Sequence, residues 1–306
     1  MRKRRILAVL SLSITILTLS AQQLFIGTYN IRNNHNNDAR EGNGWSERVG
    51  RICGQINFEQ PDIFGTQEGH IDQLQDMLAL LPGYAYIGVA REDGKKKGEH
   101  SAIFYRTDRL TLKHQGNFWL SETPEEPSLG WDAACRRICT WGEFKDRKSG
   151  KRFFYFNLHM DHVGVVARRE AAKLVVQRIK EIAAGKPAVL TGDFNVDQAN
   201  EIYAIFTGSG ILFDSYEIAR QRFAENGTFN VFNPDLFTPS RIDHVFVTKQ
   251  FAVEHYAVMT NSYWSSEALD DEQLKSTTAP AEISFERHAR RLPSDHYPVW
   301  AKVKMQ

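Results

Sequence analysis

The sequence predicts an α/β protein: a four-layer α/β sandwich in which two mixed β-sheets pack face to face and helices flank them. Two observations predict this fold class. Short apolar runs of strand length are interspersed with amphipathic helical segments along the whole chain, as expected for sheets covered by helices. Several apolar runs follow one another closely, which indicates hairpins and therefore antiparallel pairs within the sheets.

Helices are predicted where apolar residues recur at every third or fourth position, and strands where apolar runs are short. Ser46 is the expected N-cap of the first helix, and Pro82-Gly83 ends the second. The third helix has the clearest amphipathic pattern, with one apolar face from Ala172 to Ile182. The helices are predicted at 46–58, 71–81 and 168–184, and the strands at 24–29, 63–67, 84–89, 102–105, 138–144, 152–159, 188–190, 241–247 and 298–303.

The 306 residues are predicted to form one globular domain after an N-terminal targeting segment. Four basic residues at 2–5 precede an apolar stretch that ends in Ser20-Ala21, the pattern of a secretory signal peptide over residues 1–21. Residues 22–306 contain no internal repeat and no long polar linker, so a single domain is expected. The protein is therefore expected to be secreted or periplasmic; the alternative is an uncleaved anchor.

The balance of charge argues against a protein that grips long nucleic acids. The chain has 38 basic and 37 acidic residues, and removal of residues 1–21 leaves 34 basic against 37 acidic. A protein that binds nucleic acid through its phosphates usually carries a basic surface. The basic run Lys95-Lys96-Lys97 stands among acidic residues and glycines, so it is expected to be a solvated loop.

Three cysteines, Cys53, Cys135 and Cys139, give neither a disulfide framework nor a zinc-binding spacing. No turn signal stands between Cys135 and Cys139 to bring them together. All three are expected to be buried thiols.

Acidic, amide and histidine residues follow the predicted strands in order along the chain. Asn30 comes after the apolar run 24–26, and His159 comes after 153–156. The strand ends of an open α/β sheet converge on one crevice, so polar side chains placed there meet in space. Carboxylates, an amide and imidazoles that meet in this way can bind a hard divalent cation and a phosphate. The set is Asn30, Glu68, His159, Asp161, Asp193, Asn195, Asp243, His244, Asp295 and His296.

Seven short motifs surround these residues. They are Thr28-Tyr29-Asn30-Ile31-Arg32, Thr66-Gln67-Glu68, Ile103-Phe104-Tyr105-Arg106, Asn157-Leu158-His159-Met160-Asp161-His162, Thr191-Gly192-Asp193-Phe194-Asn195, Arg241-Ile242-Asp243-His244-Val245 and Ser294-Asp295-His296-Tyr297-Pro298. With them the chain resembles the endonuclease/exonuclease/phosphatase superfamily, which includes DNase I, abasic-site endonucleases, neutral sphingomyelinases, inositol polyphosphate phosphatases and deadenylases. The resemblance implies a DNase I-like fold. The segment 118–132 resembles a secreted bacterial branch of this superfamily.

The resemblance implies a Mg²⁺ site, which Mn²⁺ would also fill, at Glu68, Asn30 and Asp295. A carboxylate at the end of a buried strand, such as Glu68, is costly unless it meets a cation. Mg²⁺ keeps several waters and takes only one or two protein carboxylates, which agrees with this small set. A salt bridge between Glu68 and an arginine is the alternative.

The resemblance also implies catalytic roles for five residues. Asp193 would be the base or the positioner of the attacking water, and Asn195 would hold the phosphate. His296, oriented by Asp243, and His159 would donate to the phosphoryl oxygens. A carboxylate-held imidazole keeps one tautomer and favours its charged form. The alternative for Asp193 and Asn195 is an Asx turn that caps the next segment.

Arg106, Arg137, Asp161 and Trp131 are predicted to contact the substrate. A guanidinium group matches phosphate in bidentate geometry. Arg106 ends one of the motifs. For Arg137, a solvent-exposed surface position is as consistent with the sequence as a contact with substrate. Asp161 shares a strand face with a site histidine. Trp119 and Trp131 bracket an acidic loop that either walls the crevice or folds on its own aromatic side chains.

The expected function is Mg²⁺-dependent hydrolysis of a phosphodiester or phosphomonoester by in-line attack of water, with a small soluble ester favoured as substrate. A nuclease on short single-stranded nucleic acid is the main alternative. A sphingomyelinase-like phospholipase would need an exposed apolar hairpin, and the loop 119–131 is too acidic for one. A non-catalytic binding module would be expected to lack Glu68, Asp193 or His296. Neither stable membrane association nor an obligate protein partner is expected.

Overall fold

The computed structural model describes residues 23–270 and 272–306. The predicted signal peptide, residues 1–21, lies outside the described residues. In chain order the elements are β1 (Gln23–Asn30), α1 (Asn36–Arg40), α2 (Trp45–Glu59), β2 (Ile63–Gln67), α3 (Ile71–Leu80), β3 (Tyr84–Ile87), β4 (Ile103–Arg106), β5 (Leu110–Trp119), β6 (Ile138–Asp146), β7 (Arg152–His159), α4 (Val165–Ala183), β8 (Ala188–Asp193), α5 (Glu201–Thr207), β9 (Phe213–Asp214), α6 (Ser215–Ile218), β10 (Gln221–Phe223), β11 (Asp243–Val247), β12 (Phe251–Val258), β13 (Tyr263–Ala268), β14 (His288–Arg291) and β15 (Val299–Met305).

Two large mixed sheets form the centre of the molecule. The first has seven strands in the order β10-β12-β15-β1-β2-β4-β3, and the second has six in the order β5-β6-β7-β8-β11-β9. In the first sheet, β1 pairs parallel with β2 and antiparallel with β15. In the second, β8 pairs parallel with β7 and antiparallel with β11. Strands β13 and β14 form a separate hairpin. The prediction of two mixed sheets is confirmed.

Apolar side chains fill the space between the sheets and the space under the helices. Strands β1 and β2 contact β7 and β8 across the central core, which includes Ile26 and Val189. On the outer face of the first sheet, Ile52 of α2 packs in one cluster with Phe64. On the outer face of the second sheet, α4 and α5 pack over Leu190. Each such buried side chain stabilises the fold by about 1.5–3 kcal/mol, and the four layers agree with the prediction.

Both long helices begin earlier than predicted, for different reasons. Helix α2 begins at Trp45 with Gly44 as its N-cap, so the N-cap prediction for Ser46 is wrong. Helix α4 begins at Val165, three residues before the predicted start, because a distant carboxylate caps it. Asp132 accepts hydrogen bonds from the first-turn N–H groups of α4 at 2.6 and 3.2 Å. A cap supplied from another loop is not visible in the local sequence.

The carboxyl ends of β7 and β8 meet the start of β11 at one edge of the second sheet. His159 pairs in register with Asp193, and Asp193 pairs with Asp243. The strand before Asp193 carries Gly192 at φ +153°, where an added Cβ would lie 2.2 Å from the carbonyl oxygen of Leu158. Only glycine fits this close approach, which explains its place in the Gly-Asp-Phe-Asn motif.

A buried asparagine links the two sheets directly below this edge. Asn157 of β7 donates through Nδ2 to the carbonyl oxygens of Thr66 and Ala102, both at 2.9 Å, and its Oδ1 accepts from Gln67 Nε2 at 2.7 Å. Buried polar groups that are fully paired fix relative positions. The ends of β2 and β7 are thus held together.

Among the described residues, no helix has the length and apolar character needed to cross a bilayer.

Candidate active site

His296 and Asp243 form a buried ion pair in a cleft at the joined ends of the two sheets. His296 Nδ1 lies 2.9 Å from Asp243 Oδ2, and His296 Nε2 lies 3.4 Å from Asn30 Nδ2 and 3.7 Å from Asp193 Oδ2. Burial lowers the pKa of His296, but the carboxylates of Asp243 and Asp193 outweigh burial and raise it to about 10. The imidazole is therefore charged at neutral pH, with Nε2 available as a donor.

Asp193, at the end of β8 in the second sheet, contacts Asn30, at the end of β1 in the first sheet. Its Oδ1 accepts from the backbone N–H of Asn195 at 2.9 Å, and its Oδ2 accepts from Asn30 Nδ2 at 3.1 Å. Burial, reinforced by the charge of Asp243, raises the pKa of Asp193 to about 7, although charged His296 acts in the opposite direction. A carboxylate with this pKa can exchange a proton near neutral pH, which is what a general base requires.

His159 differs from His296 in its charge. Its Nε2 lies 3.2 Å from Asn195 Nδ2. Burial, followed by the positive charges of Arg137 and Arg91, holds the pKa of His159 well below its usual range, so this imidazole is neutral. Asn195 has φ +51°, a left-handed conformation that is uncommon outside glycine. The cleft therefore contains the charged imidazole of His296 and the neutral imidazole of His159.

Glu68, directly after β2, is held as an ionised carboxylate. Its Oε1 accepts from Asn30 Nδ2 at 3.0 Å and its Oε2 from the backbone N–H of Asn33 at 3.1 Å. Burial raises the pKa of Glu68, but charged His296 and these hydrogen bonds bring it below its usual value. The Oδ1 atom of Asn30 accepts from the backbone N–H of Arg32 at 3.0 Å. Asn30 thus positions the carboxylate of Glu68 through Nδ2, and its assignment as an oxygen ligand of the metal stays a prediction.

Glu68 and Asp295 both face the guanidinium group of Arg32. Arg32 Nη1 lies 4.0 Å from Glu68 Oε2 and 3.5 Å from Asp295 Oδ2, so the two carboxylates flank the same nitrogen. Ligand atoms of Glu68, His159 and Asp193 also lie within 4.8 Å of one another. Burial raises the pKa of Asp295, as expected for a carboxylate whose charge is incompletely compensated. This oxygen-rich donor set suits a hard cation such as Mg²⁺.

Arg137 lines the cleft as well. Its Nε lies 3.4 Å from Asp161 Oδ2 and its Nη2 lies 3.0 Å from His162 Nδ1. Its Nη1 is buried and has no hydrogen-bond partner among the described residues. A buried donor without a partner is costly, so a nitrogen in this position is suited to an anionic oxygen of a ligand.

Asp161 holds this wall in place and does not line the cleft. Its Oδ1 accepts from the backbone N–H groups of Val163 at 2.9 Å and Gly164 at 2.7 Å. Burial raises the pKa of Asp161, but these hydrogen bonds and Arg137 bring it well below its usual value. The substrate contact predicted for Asp161 is therefore replaced by a structural contact to Arg137.

Two other residues predicted to bind substrate lie away from the cleft. Strand β4 runs antiparallel to β2, so Arg106 at its end lies at the opposite edge from Glu68, paired with Asp108 at 2.6 Å. Trp131 packs against the core beside α4. Trp119 is buried and donates from Nε1 to a backbone carbonyl at 2.8 Å. Both tryptophans are therefore held against parts of the fold outside the loop 119–131, and neither lines the cleft.

Several residues of the cleft were not assigned a role from the sequence. Arg32 lay within a motif, which was a usable signal, whereas Arg91 and Glu99 belong to the loop around the exposed lysine run. Cys135 is half-buried with its Sγ 3.6 Å from an oxygen of Asp161, which corrects the expectation of three buried thiols. The cleft is also lined by His162, and the unassigned residues that line it are Arg32, Asn33, Arg91, Glu99, Cys135, Phe229 and Ile242.

Comparison with known proteins agrees with this geometry. The model of the Endonuclease/Exonuclease/phosphatase family matches residues 27–296. The chain belongs to this family. Two solved structures from Bacteroides thetaiotaomicron are each 48% identical to the chain. One is a family protein with a TM-score of 0.85, covering 93% of this chain and 98% of that one. The other is a mannosyl-6-phosphatase with a TM-score of 0.83, covering 92% and 99%.

A curated member, Nocturnin of Drosophila melanogaster, is 27% identical over 181 residues, which is 55% of this chain. The chain spans between about a quarter and three fifths of the length of the curated relatives it matches. Family members are hydrolases, phosphatases and nucleases among them. The predicted family and the predicted DNase I-like fold are therefore confirmed.

Proposed function

We propose that this family member is a Mg²⁺-dependent phosphoesterase that hydrolyses a small soluble phosphate ester, with a sugar phosphate as the favoured substrate. The observation that carries the proposal is the meeting of Asp193, Asn195, His159 and His296 within one cleft beside Glu68. A relative with 48% identity over nearly the whole chain is a mannosyl-6-phosphatase, which favours a phosphomonoester of a hexose.

The donor set of Glu68 and Asp295 fits Mg²⁺, and Mn²⁺ would use the same oxygens. When bound there, the cation would supply Lewis acidity that stabilises negative charge on the phosphoryl oxygens. Asn30 holds Glu68 through Nδ2 at 3.0 Å, which limits the rotation of this carboxylate and prepares it for binding.

The side chains of the cleft supply the remaining chemistry. Asp193, with its raised pKa, would take a proton from the attacking water. His296 would donate a hydrogen bond from Nε2 to a phosphoryl oxygen. Negative charge develops on that oxygen during the in-line attack of water. Asn195 and neutral His159 would hold the same oxygens. One Nδ2 hydrogen of Asn195 donates to Met160 O at 2.9 Å, so the hydrogen that faces His159 Nε2 at 3.2 Å would turn to the substrate. Asp243 keeps His296 charged and in one tautomer.

The size and charge of the cleft favour a small substrate. Its volume is about 340 Å³, near the lower end of small-molecule sites. Arg91 pairs with Glu99 at 2.5 Å, and Arg136 pairs with Glu92 at 2.7 Å. Because these guanidinium groups are neutralised, they do not form an open basic strip for a polynucleotide.

A phospholipid headgroup is a second candidate, because the structure contains an exposed hairpin that the sequence did not predict. Four large apolar side chains are exposed in the described part of the segment 263–291: Trp264, which is 62% accessible, Leu269, which is 65% accessible, Ile283 and Phe285. Such a hairpin suits a membrane surface. Six acidic residues between 267 and 286 oppose binding to anionic lipid. The small soluble ester therefore remains the proposal.

A substrate panel tests the proposal. Hydrolysis by purified protein without the residues 1–21 would be measured with Mg²⁺ as phosphate released from mannose 6-phosphate, p-nitrophenol released from p-nitrophenyl phosphate and bis-p-nitrophenyl phosphate, nucleotides released from single-stranded RNA and phosphocholine released from sphingomyelin vesicles. The Asp193→Asn variant is the matched control for contaminating phosphatases. We expect the sugar phosphate to give the highest kcat/KM. Preference for RNA or for vesicles would contradict the proposed substrate, and an active Asp193→Asn variant would contradict the proposed site.

A second part of the proposal concerns location. The pattern of residues 1–21 supports export, so the reaction would take place outside the cytoplasm. Detection of the mature protein beginning near Gln22 in a periplasmic or culture fraction is the expected result; an intact N-terminus in the cytoplasmic fraction would contradict it.

A further inference from the structure

Arg32 occupies a strained position beside the carboxylates of the cleft. Its φ is +57°, a conformation that costs a non-glycine residue free energy and persists only where the surroundings enforce it. Here the backbone N–H of Arg32 donates to Asn30 Oδ1 at 3.0 Å. The carbonyl oxygen of Arg32 accepts from Gln73 Nε2 at 3.0 Å and Arg48 Nη2 at 3.2 Å. Such strain is common at functional sites.

The guanidinium group of Arg32 is anchored on one side and open on the other. Its Nε and Nη2 donate to Asp38 at 2.8 and 3.2 Å, a bidentate pair. The third nitrogen, Nη1, points to the two carboxylates proposed to hold the metal, at 3.5 Å from Asp295 and 4.0 Å from Glu68. Both distances exceed that of a good hydrogen bond, so the contact is electrostatic.

We propose that Arg32 is a tethered counter-cation that competes with the divalent metal for Glu68 and Asp295, with Asp38 restraining its reach. This inference rests on the proposed function, because it needs a metal at these carboxylates. In the metal-free protein the guanidinium partly compensates the buried carboxylates. Arg32 thereby sets the metal concentration at which the site fills.

The signs of the charges give the direction in which Arg32 changes the affinity for the metal. A positive charge about 4 Å from a carboxylate opposes the binding of another cation there, and the opposition is large at the effective dielectric of a protein surface. The side chain of Arg32 is 29% exposed, so solvent screens part of it. Removing the charge should therefore tighten metal binding, whereas removing the charge of Asp38 should weaken it.

Calorimetric titration of Mn²⁺ into metal-free protein tests the inference with no need for activity. We expect Arg32→Met to bind Mn²⁺ roughly tenfold or more tightly than the wild type, an order of magnitude consistent with a partly screened charge. Arg32→Lys keeps the positive charge and should stay near the wild-type affinity. Asp38→Asn should bind Mn²⁺ more weakly. Thermal unfolding of each variant would show that the fold is retained.

Arg106→Met is the matched control, because Arg106 lies at the opposite edge of the sheet; its Mn²⁺ affinity should equal that of the wild type. Unchanged or weaker binding by Arg32→Met overturns the inference, as does equal tightening by Arg32→Lys, which would indicate a steric effect. If Glu68→Gln leaves Mn²⁺ binding unaltered, or if the wild type does not bind Mn²⁺, the proposed metal site fails together with this inference. Loss of binding in Glu68→Gln without tightening in Arg32→Met overturns the Arg32 inference alone.

Discussion

His296 and Asp243 lie 53 residues apart in the chain, yet His296 Nδ1 is 2.9 Å from Asp243 Oδ2. The contact is possible because β11 begins at Asp243, which pairs with Asp193 at the end of β8. His296 lies in the segment before β15 and reaches the same edge of the sheet. It keeps His296 charged at neutral pH in spite of burial, which links the topology of the second sheet to a proton donor in the cleft.

Removing this carboxylate should reduce the rate while leaving metal binding intact. Asp243→Asn preserves shape but no longer stabilises the charged imidazole, so we expect kcat to fall by roughly 10²-fold or more, within the range of lost acid–base contributions. Saturating Mg²⁺ should not restore the rate. Steady-state kinetics on p-nitrophenyl phosphate would measure this. Wild-type kcat in Asp243→Asn would show that the pair is only structural.

Asp193→Asn isolates the proposed base. We expect kcat to fall by about 10²–10⁴-fold, with a smaller change in Mn²⁺ affinity than Glu68→Gln produces. Calorimetry with Mn²⁺ and single-turnover kinetics would separate the two effects. A loss of Mn²⁺ affinity that fully accounts for the lost rate would instead identify Asp193 as a metal ligand.

Arg137 Nη1, which has no hydrogen-bond partner among the described residues, leads us to expect that Arg137 binds the substrate. Arg137→Lys keeps a positive charge but loses the fork of donors, so KM for the phosphoester should rise roughly tenfold with little change in kcat. The matched control is Arg106→Lys, remote from the cleft, whose KM should be that of the wild type. An unchanged KM in Arg137→Lys would remove Arg137 from the substrate site.

The lowered pKa of Asp161 predicts that the free energy of unfolding depends on pH. Its folded-state pKa lies below its unfolded value of about 3.9, so its stabilisation is present above that value and is lost as pH falls through the folded pKa. Asp161→Asn should lower the free energy of unfolding by about 1–2 kcal/mol at pH 7, and the difference should shrink below about pH 4. Urea unfolding at both pH values would measure it. A difference independent of pH would exclude the carboxylate charge as its cause.

The sequence predicted the strands that carry the site, because each ends in a polar motif after an apolar run. Strands β7 and β2 lie at the predicted residues. Arg106 shows the limit of this reasoning: its motif also ends a strand, but β4 runs antiparallel to β2. Strand direction depends on tertiary pairing, which one sequence does not reveal. The position at a strand end therefore correctly predicted that Glu68 lies in the cleft, but it wrongly predicted the same for Arg106.

Side-chain orientation was the other part that sequence could not provide. Asn30 was correctly expected beside Glu68, but its oxygen faces the backbone of Arg32 because the chain turns at positive φ there. Likewise Asp161 was expected in the cleft, yet backbone N–H groups of the following turn take up its Oδ1. Both outcomes depend on local backbone geometry after the strand, where propensities give little guidance.

The dependence of activity on Mg²⁺ in wild type and Glu68→Gln tests the central claim most directly. Phosphate release from the best substrate would be followed after removal of metal with EDTA and during titration with Mg²⁺. We expect no activity without metal and full recovery on titration. Glu68→Gln should need at least tenfold more Mg²⁺ for half-maximal rate, since it loses one of two carboxylate ligands. Full activity in EDTA, or equal Mg²⁺ requirements in the two proteins, would contradict a metal-dependent phosphoesterase centred on Glu68.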